Sequence, residues 1–196
     1  MKALARSNRL VFPLLIVTFL STSCFNERLP EYRPDTSLET ERVYRAAIKH
    51  WFHEYDSTRQ LAILNPPNSD GISKWVDKFD SLDEVAVATF RNSSEGPTQL
   101  TSGMFDELPF AVRVFEMDAL IGEKGEILDK KMRSEGSYSG LLRLSVLLFN
   151  SDRTLAIVQG EYTHCPLCSF EEVLLLKRQE PGGEWKVVDQ IGLWIS

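Results

Sequence analysis

Histidine and cysteine are scarce, each occurring three times in 196 residues. That leaves little material for a structural zinc centre, which takes four ligands. His164, Cys165 and Cys168 supply three, with no fourth nearby in sequence. His50 and His53 are three apart, but the helical period sets them on the flank or the solvated side of their helix, away from its apolar stripe. Also missing are Gly-x-Ser-x-Gly, a phosphate-cradling glycine loop and a dinucleotide glycine pattern. Ser137-Tyr138-Ser139-Gly140 reads as a loop, not a nucleophile elbow. The sequence assigns no catalytic residue, no metal and no cofactor, so it leans away from an enzyme. An unbroken apolar run of the roughly 20 residues that span a bilayer is missing too. Basic residues, at 22, are outnumbered by 28 acidic ones. With no basic patch interleaved with aromatics, such a surface repels nucleic-acid phosphates.

The basic charge that exists is placed tellingly. Lys2, Arg6 and Arg9 precede an uncharged stretch, Leu10–Leu20, which has the length of a signal-peptide apolar region. Ser21, Thr22 and Ser23 then lead into Cys24. Small residues running into a cysteine resemble the lipobox of bacterial lipoproteins, although Ser21 stands where an apolar residue is usual and Leu20 lies one place further out. The resemblance implies a diacylglyceryl group on the Cys24 sulfur and cleavage just before it. Residues 1–23 are then a signal peptide, and the protein is exported and held to a bacterial membrane by its lipid, the leaflet and the membrane left open. The competing reading is an ordinary secretory signal cut nearby, with Cys24 a leftover thiol. Loss of residues 1–23 takes the net charge from −6 to −9. Residues 24–36, with Pro30 and Pro34 among alternating charges, read as an extended tether.

The rest, 37–196, reads as a single α+β domain. A helix is expected over 37–56, with Thr36 and Glu39 as a capping box. Its apolar stripe is Val43, Tyr44, Ala47, Ile48, Trp51, Phe52 and Tyr55. A short strand over 60–65 should end at Pro66-Pro67. Ile72, Trp75, Val76 and Phe79 follow a helical period, and Ser81 with Glu84 suggests a second capped helix over 82–92. Residues 93–109 read as loop, 110–116 as a strand and 122–140 as a long connection. From Leu141 four antiparallel strands follow, the first with Leu142, Leu144, Val146 and Leu148 on one face, and with turns at 150–153 and 181–183. N-terminal amphipathic helices packed on a C-terminal four- to five-stranded antiparallel sheet make an α+β layout. It is reminiscent of cystatin-like and NTF2-like folds.

With Cys24 lipidated, Cys165 and Cys168 remain as a close pair in an oxidising compartment, so a disulfide is expected. The alternative is a thiol–disulfide redox centre with His164 lowering the Cys165 pKa. Against it, the stretch after Cys168 reads as a strand, whereas a thioredoxin-type motif opens a helix, and Glu171 and Glu172 follow closely. Phe149-Asn150, Cys165-x-Leu167-Cys168, Leu174-Leu175, Lys177, Trp185-x-Val187 and Trp194-Ile195-Ser196 resemble the ending of a group of uncharacterised exported bacterial proteins. That likeness implies export and one folded unit, and carries no activity. Tyr44, Trp51, Phe52 and Tyr55 are the candidate lining of a ligand cavity, although core packing is the commoner use of such a stripe. The partners expected are the bilayer, through acylated Cys24, and a small ligand or another envelope protein.

Labelling with a palmitate analogue should tag the chain, and intact-mass analysis should find a mature N-terminus at Cys24 carrying diacylglycerol. Cys24→Ser should abolish the label. A mature chain that starts elsewhere without lipid overturns the lipoprotein reading.

Overall fold

The computed structural model describes residues 36–54, 58–68, 71–90, 94–95, 99–116, 138–165 and 168–195. All fall in one compact unit running from Arg33 to Ser196. Cys24 and the expected signal and tether, Tyr55, the Thr36 side chain and most of the connection over 122–140 lie outside what is described.

A helix, α1 (Thr36–Trp51), comes first. Its stripe does what the spacing implied. Val43, Tyr44, Ala47 and Ile48 have no exposed surface, and Phe52 nearly none. They pack on Leu61 and Ile63, on Leu142 and Leu144 and on Leu174 and Leu176. Each large apolar side chain so buried contributes up to about 1.5–3 kcal/mol. The strands are β1 (Gln60–Asn68), β2 (Ser94–Glu95), β3 (Val112–Glu116), β4 (Tyr138–Ser145), β5 (Leu148–Phe149), β6 (Leu155–Cys165), β7 (Cys168–Lys177) and β8 (Lys186–Ile195). A 3-10 helix, Ile72–Lys78, and a short helix, α2 (Glu84–Thr89), stand between β1 and β2.

The sheet differs from the expected one. Among the described residues it has eight strands and is mixed. The C-terminal part is the anticipated meander: β4 and β5 pair antiparallel with β6, β6 with β7, and β7 with β8. But β1 lies between β3 and β4 and runs parallel to both. Leu61, Ala62, Ile63 and Leu64 are all buried, so the segment is covered on both faces and its sequence shows no alternation. The strand also continues through Pro66 and Pro67. Pairing with β3 ends at Asn65, and pairing with β4 skips from Leu64 to Asn68, so neither proline needs a ladder N–H. Tyr138, Ser139 and Gly140 belong to β4 rather than to a loop, and a Cβ on Gly140 would stand 2.6 Å from the Tyr162 ring.

The expected common face of Leu142, Leu144, Val146 and Leu148 is broken. Leu142 and Leu144 join the α1 core, while Val146 and Leu148 lie on the opposite face. Leu144 faces Gly160 and Leu148 faces Ile157, so Ser145, Val146 and Leu147 oppose only Val158 and Gln159. One extra residue inverts the side-chain parity. The side chain of Ser145 mends the ladder by accepting the Gln159 N–H at 2.9 Å, and the Tyr44 hydroxyl donates to the Ser145 carbonyl at 2.9 Å.

The second face is covered by the 3-10 helix and α2. Ile72, Val76, Phe79 and Phe90 pack there on Ile157, Val173 and Leu175. The cap of α2 lies two places beyond the expected Ser81. Asp83 accepts the Ala86 N–H at 2.7 Å, and the Ser81 N–H goes instead to Asp189, at 3.2 Å. The described part of 93–109, expected as loop, contains a 3-10 turn at Ser102–Phe105. Asn65 holds this segment, accepting the Leu100 N–H at 2.7 Å.

A buried ion pair joins the start of α1 to the far end of the sheet. Glu39 Oε2 lies 2.6 Å from Arg178 Nη1, with both side chains almost fully buried, and the Trp185 indole donates to the same oxygen at 3.3 Å. Arg178 also donates Nε–H to the Arg153 carbonyl at 2.8 Å and lies over the Trp185 ring.

Glu39→Ala leaves a buried guanidinium without its counter-charge and should cost about 3–5 kcal/mol in urea unfolding. Glu184→Ala, from the exposed Lys186–Glu184 pair, should cost under about 1 kcal/mol. Equal losses would refute the role given to Glu39. A second prediction concerns the turn at Asp152. Burial works to raise its carboxyl, but hydrogen bonds from the Thr154 hydroxyl and amide and from Asn150 outweigh it and hold it below the ordinary carboxylate value. A carboxylate depressed in the fold adds stability above its unfolded value, and that stability is lost as pH falls through the folded value. Asp152→Asn should therefore flatten the acid limb of the stability curve, read by melting temperature against pH.

Candidate functional site

Side chains alternate along β7, and Phe170, Leu174 and Leu176 pack in the α1 core. Cys168 and Glu172 share their parity and so face α1. On β8 the register sets Gln190 beside Leu174 and Gly192 beside Glu172. His164 of β6 lies on the same face, its ring stacked on Tyr162 with centroids 5.6 Å apart and planes at 21°. The C-terminal end of α1 brings His50 and Trp51 over this corner. These residues line a cleft of about 380 Å³, within the range of small-molecule sites.

Two glycines shape it. A Cβ on Gly160 would stand 2.5 Å from the Trp51 ring, so only glycine lets the indole lie against β6. Gly192 is the converse, because a Cβ there would meet nothing within 4 Å. The place beside Glu172 where a cross-strand side chain would stand is open.

The polar groups are held in position. Trp51 Nε1–H donates to Glu172 Oε2 at 2.8 Å. His50 Nε2 lies 3.0 Å from Gln190 Oε1. The neighbouring Glu171 points to the other face, where Gln159 and Trp194 both donate to it, and Gln159 in turn accepts from the Trp75 indole at 3.2 Å. The adjacent glutamates do lie on opposite faces, as their spacing required. An indole N–H satisfies each.

The expected cavity aromatics separate. Tyr44 is fully buried, and its hydroxyl is spent on the Ser145 carbonyl. Phe52 is core, meeting Tyr162 edge-on at 4.9 Å. Of the three that are described, Trp51 alone lines the cleft, and Tyr55 lies outside the described residues. Burial pushes the Tyr44 phenol far above its ordinary value. It also raises Tyr162, against the bond to Ser139 and the charge of Arg59. Neither is a base at neutral pH. Cys168 opens a strand, not a helix, and its partner in the β6–β7 register is Cys165.

Glu172, Gln190 and Gly192 were not singled out from the sequence as lining residues. The pattern offered the Glu171-Glu172 pair, but its worth depends on which strands flank it, and single-strand periodicity carries no register. The spacing of His50 and His53 points only to metal ligation, not to a cleft wall. Among the described residues, no group of three or more His, Cys, Asp or Glu is placed to hold a metal ion, and no helix is long and apolar enough to cross a membrane.

A second depression, of about 450 Å³, runs along α1 beside Arg42, Arg45 and Lys49. Its arginines are engaged by the protein. Arg45 pairs with Glu107 at 3.0 Å, and Arg42 donates to the Gly182 carbonyl at 3.2 Å.

Compared with known proteins, the chain matches no protein-family model, no curated protein and no solved structure.

Proposed function

We propose that the protein is a cell-envelope lipoprotein, anchored through acylated Cys24, whose folded domain binds a small ligand in the cleft at the end of α1 without transforming it. The single observation that carries the binding role is the open place beside Glu172. Gly192 supplies no side chain there, while Trp51, His50 and Gln190 surround it with ordered polar groups. What favours binding over catalysis is that the polar side chains of the cleft are paired with one another, Trp51 with Glu172 and His50 with Gln190. The layout of α1 over a meander supports a cystatin-like or NTF2-like relationship as the finer reading, with the parallel pairs of β1 standing outside it.

A second reading, a thiol–disulfide oxidoreductase, is favoured by one fact: His164 and Cys168 line the same cleft. Against it stands the strand that follows Cys168, since no helix N-terminus is there to stabilise a thiolate. We take Cys165 and Cys168 to be joined as a structural disulfide. The support is their opposition in the ladder and the disulfide-bonded state of Cys168.

A thermal-shift screen of small polar compounds should find ligands that raise the melting temperature of the full chain, since a ligand of the native state stabilises it. Gly192→Leu fills the open place and should remove those shifts while leaving the unliganded melting temperature close to wild type. If every shift survives the substitution, the cleft is not the site. Turnover in an insulin-reduction assay that Cys165→Ser abolishes would replace the binding role with the redox one.

A further inference from the structure

We infer that the cleft at the end of α1 selects a small organic ammonium ion, an inference that rests on the cleft being the binding site. Among the described residues of β6, β7 and β8, Glu172 is the one carboxylate turned to this face. The Glu171 carboxylate is taken up on the opposite face by Gln159 and Trp194. The basic groups of α1, Arg42, Arg45 and Lys49, line the separate depression on its flank. An acidic chain with one ordered carboxylate in a recess attracts cations.

Geometry narrows the cation. Glu172 Oε2 accepts the Trp51 indole N–H, and its other oxygen has no partner among the described residues. That bond fixes the carboxylate at the edge of the indole, so an occupant of the Gly192 place meets a carboxylate oxygen and an aromatic ring together. Phe170 adds a second ring to the lining. A metal ion would want several oxygen or nitrogen ligands at close range, and this corner does not assemble them. An alkylammonium satisfies both features, its charge on the carboxylate and its methyl or methylene groups against the rings, as in cation–π recognition. His50 and Gln190, held to each other at 3.0 Å, offer a polar wall for a hydroxyl or amide on the same ligand.

Choline and its uncharged carbon isostere, 3,3-dimethylbutan-1-ol, separate charge from shape. In ligand-observed NMR titrations of the full chain, choline should bind about tenfold more tightly than the isostere. Glu172→Gln, which keeps an oxygen for the Trp51 N–H, should erase that preference. Gly192→Leu should abolish binding of both. If choline and the isostere bind alike and Gly192→Leu blocks both, the ammonium inference falls and the cleft remains a binding site. If choline fails at millimolar concentration while other screened compounds still lose their shifts in Gly192→Leu, the inference falls in the same way. If Gly192→Leu leaves all ligand effects unchanged, the binding-site reading falls with it.

Discussion

One extra residue in the strand formed by β4 and β5 organises the molecule. Because Ser145, Val146 and Leu147 stand against two residues of β6, the strand presents Leu142 and Leu144 to α1 and then Val146 and Leu148 to the other side. A sheet covered on both faces needs apolar side chains on both, and this inversion supplies them where the two cores meet. An inserted residue disturbs the ladder, and an unpaired buried amide or carbonyl is costly. The repair comes from Ser145 for the Gln159 amide and from Tyr44 for the Ser145 carbonyl. The helix stripe and the sheet irregularity thus depend on each other: Tyr44 is both the centre of the α1 core and the donor that closes the bulge.

The same interlocking explains what could be read from the residues. The described part of the stripe on α1, the turn around Asn150 and Asp152, and the last three strands of the meander are local patterns, written in spacing and turn chemistry, and they are present as read. The parallel placement of β1 was hidden, because Leu61–Leu64 is buried on both faces and a continuous apolar run says nothing about its neighbours. The broken face of β4 and β5 was hidden because a bulge is a relation between two strands. The cleft is of the same kind. Trp51 was legible as part of an aromatic helix, but Glu172 and Gly192 gain meaning only from standing opposite each other, which nothing in either strand announces.

Glu171 and Glu172 show how little backbone separates a structural role from a chemical one. Each carboxylate takes an indole N–H, one from Trp194 and one from Trp51. Glu171 has a second donor in Gln159 and is used up within the fold. Glu172 has a glycine for a neighbour and keeps an oxygen in hand. Neighbouring residues of one strand, alike in chemistry, differ because one side of the sheet is filled at that point and the other is not.

Glu39 has a mechanical consequence. It lies in the first turn of α1, so any pull on the chain ahead of Thr36 reaches this turn before the rest of the domain. There the load meets the buried pair with Arg178 and the bond from Trp185, which fasten the helix to the β7–β8 hairpin. The apolar stripe could peel one turn at a time, since burial is proportional to area and has no threshold. A charge pair sealed from water does have one: it holds until broken, and breaking it exposes two charges at once. The first turn of α1 therefore acts as a latch against force arriving from the N-terminal side.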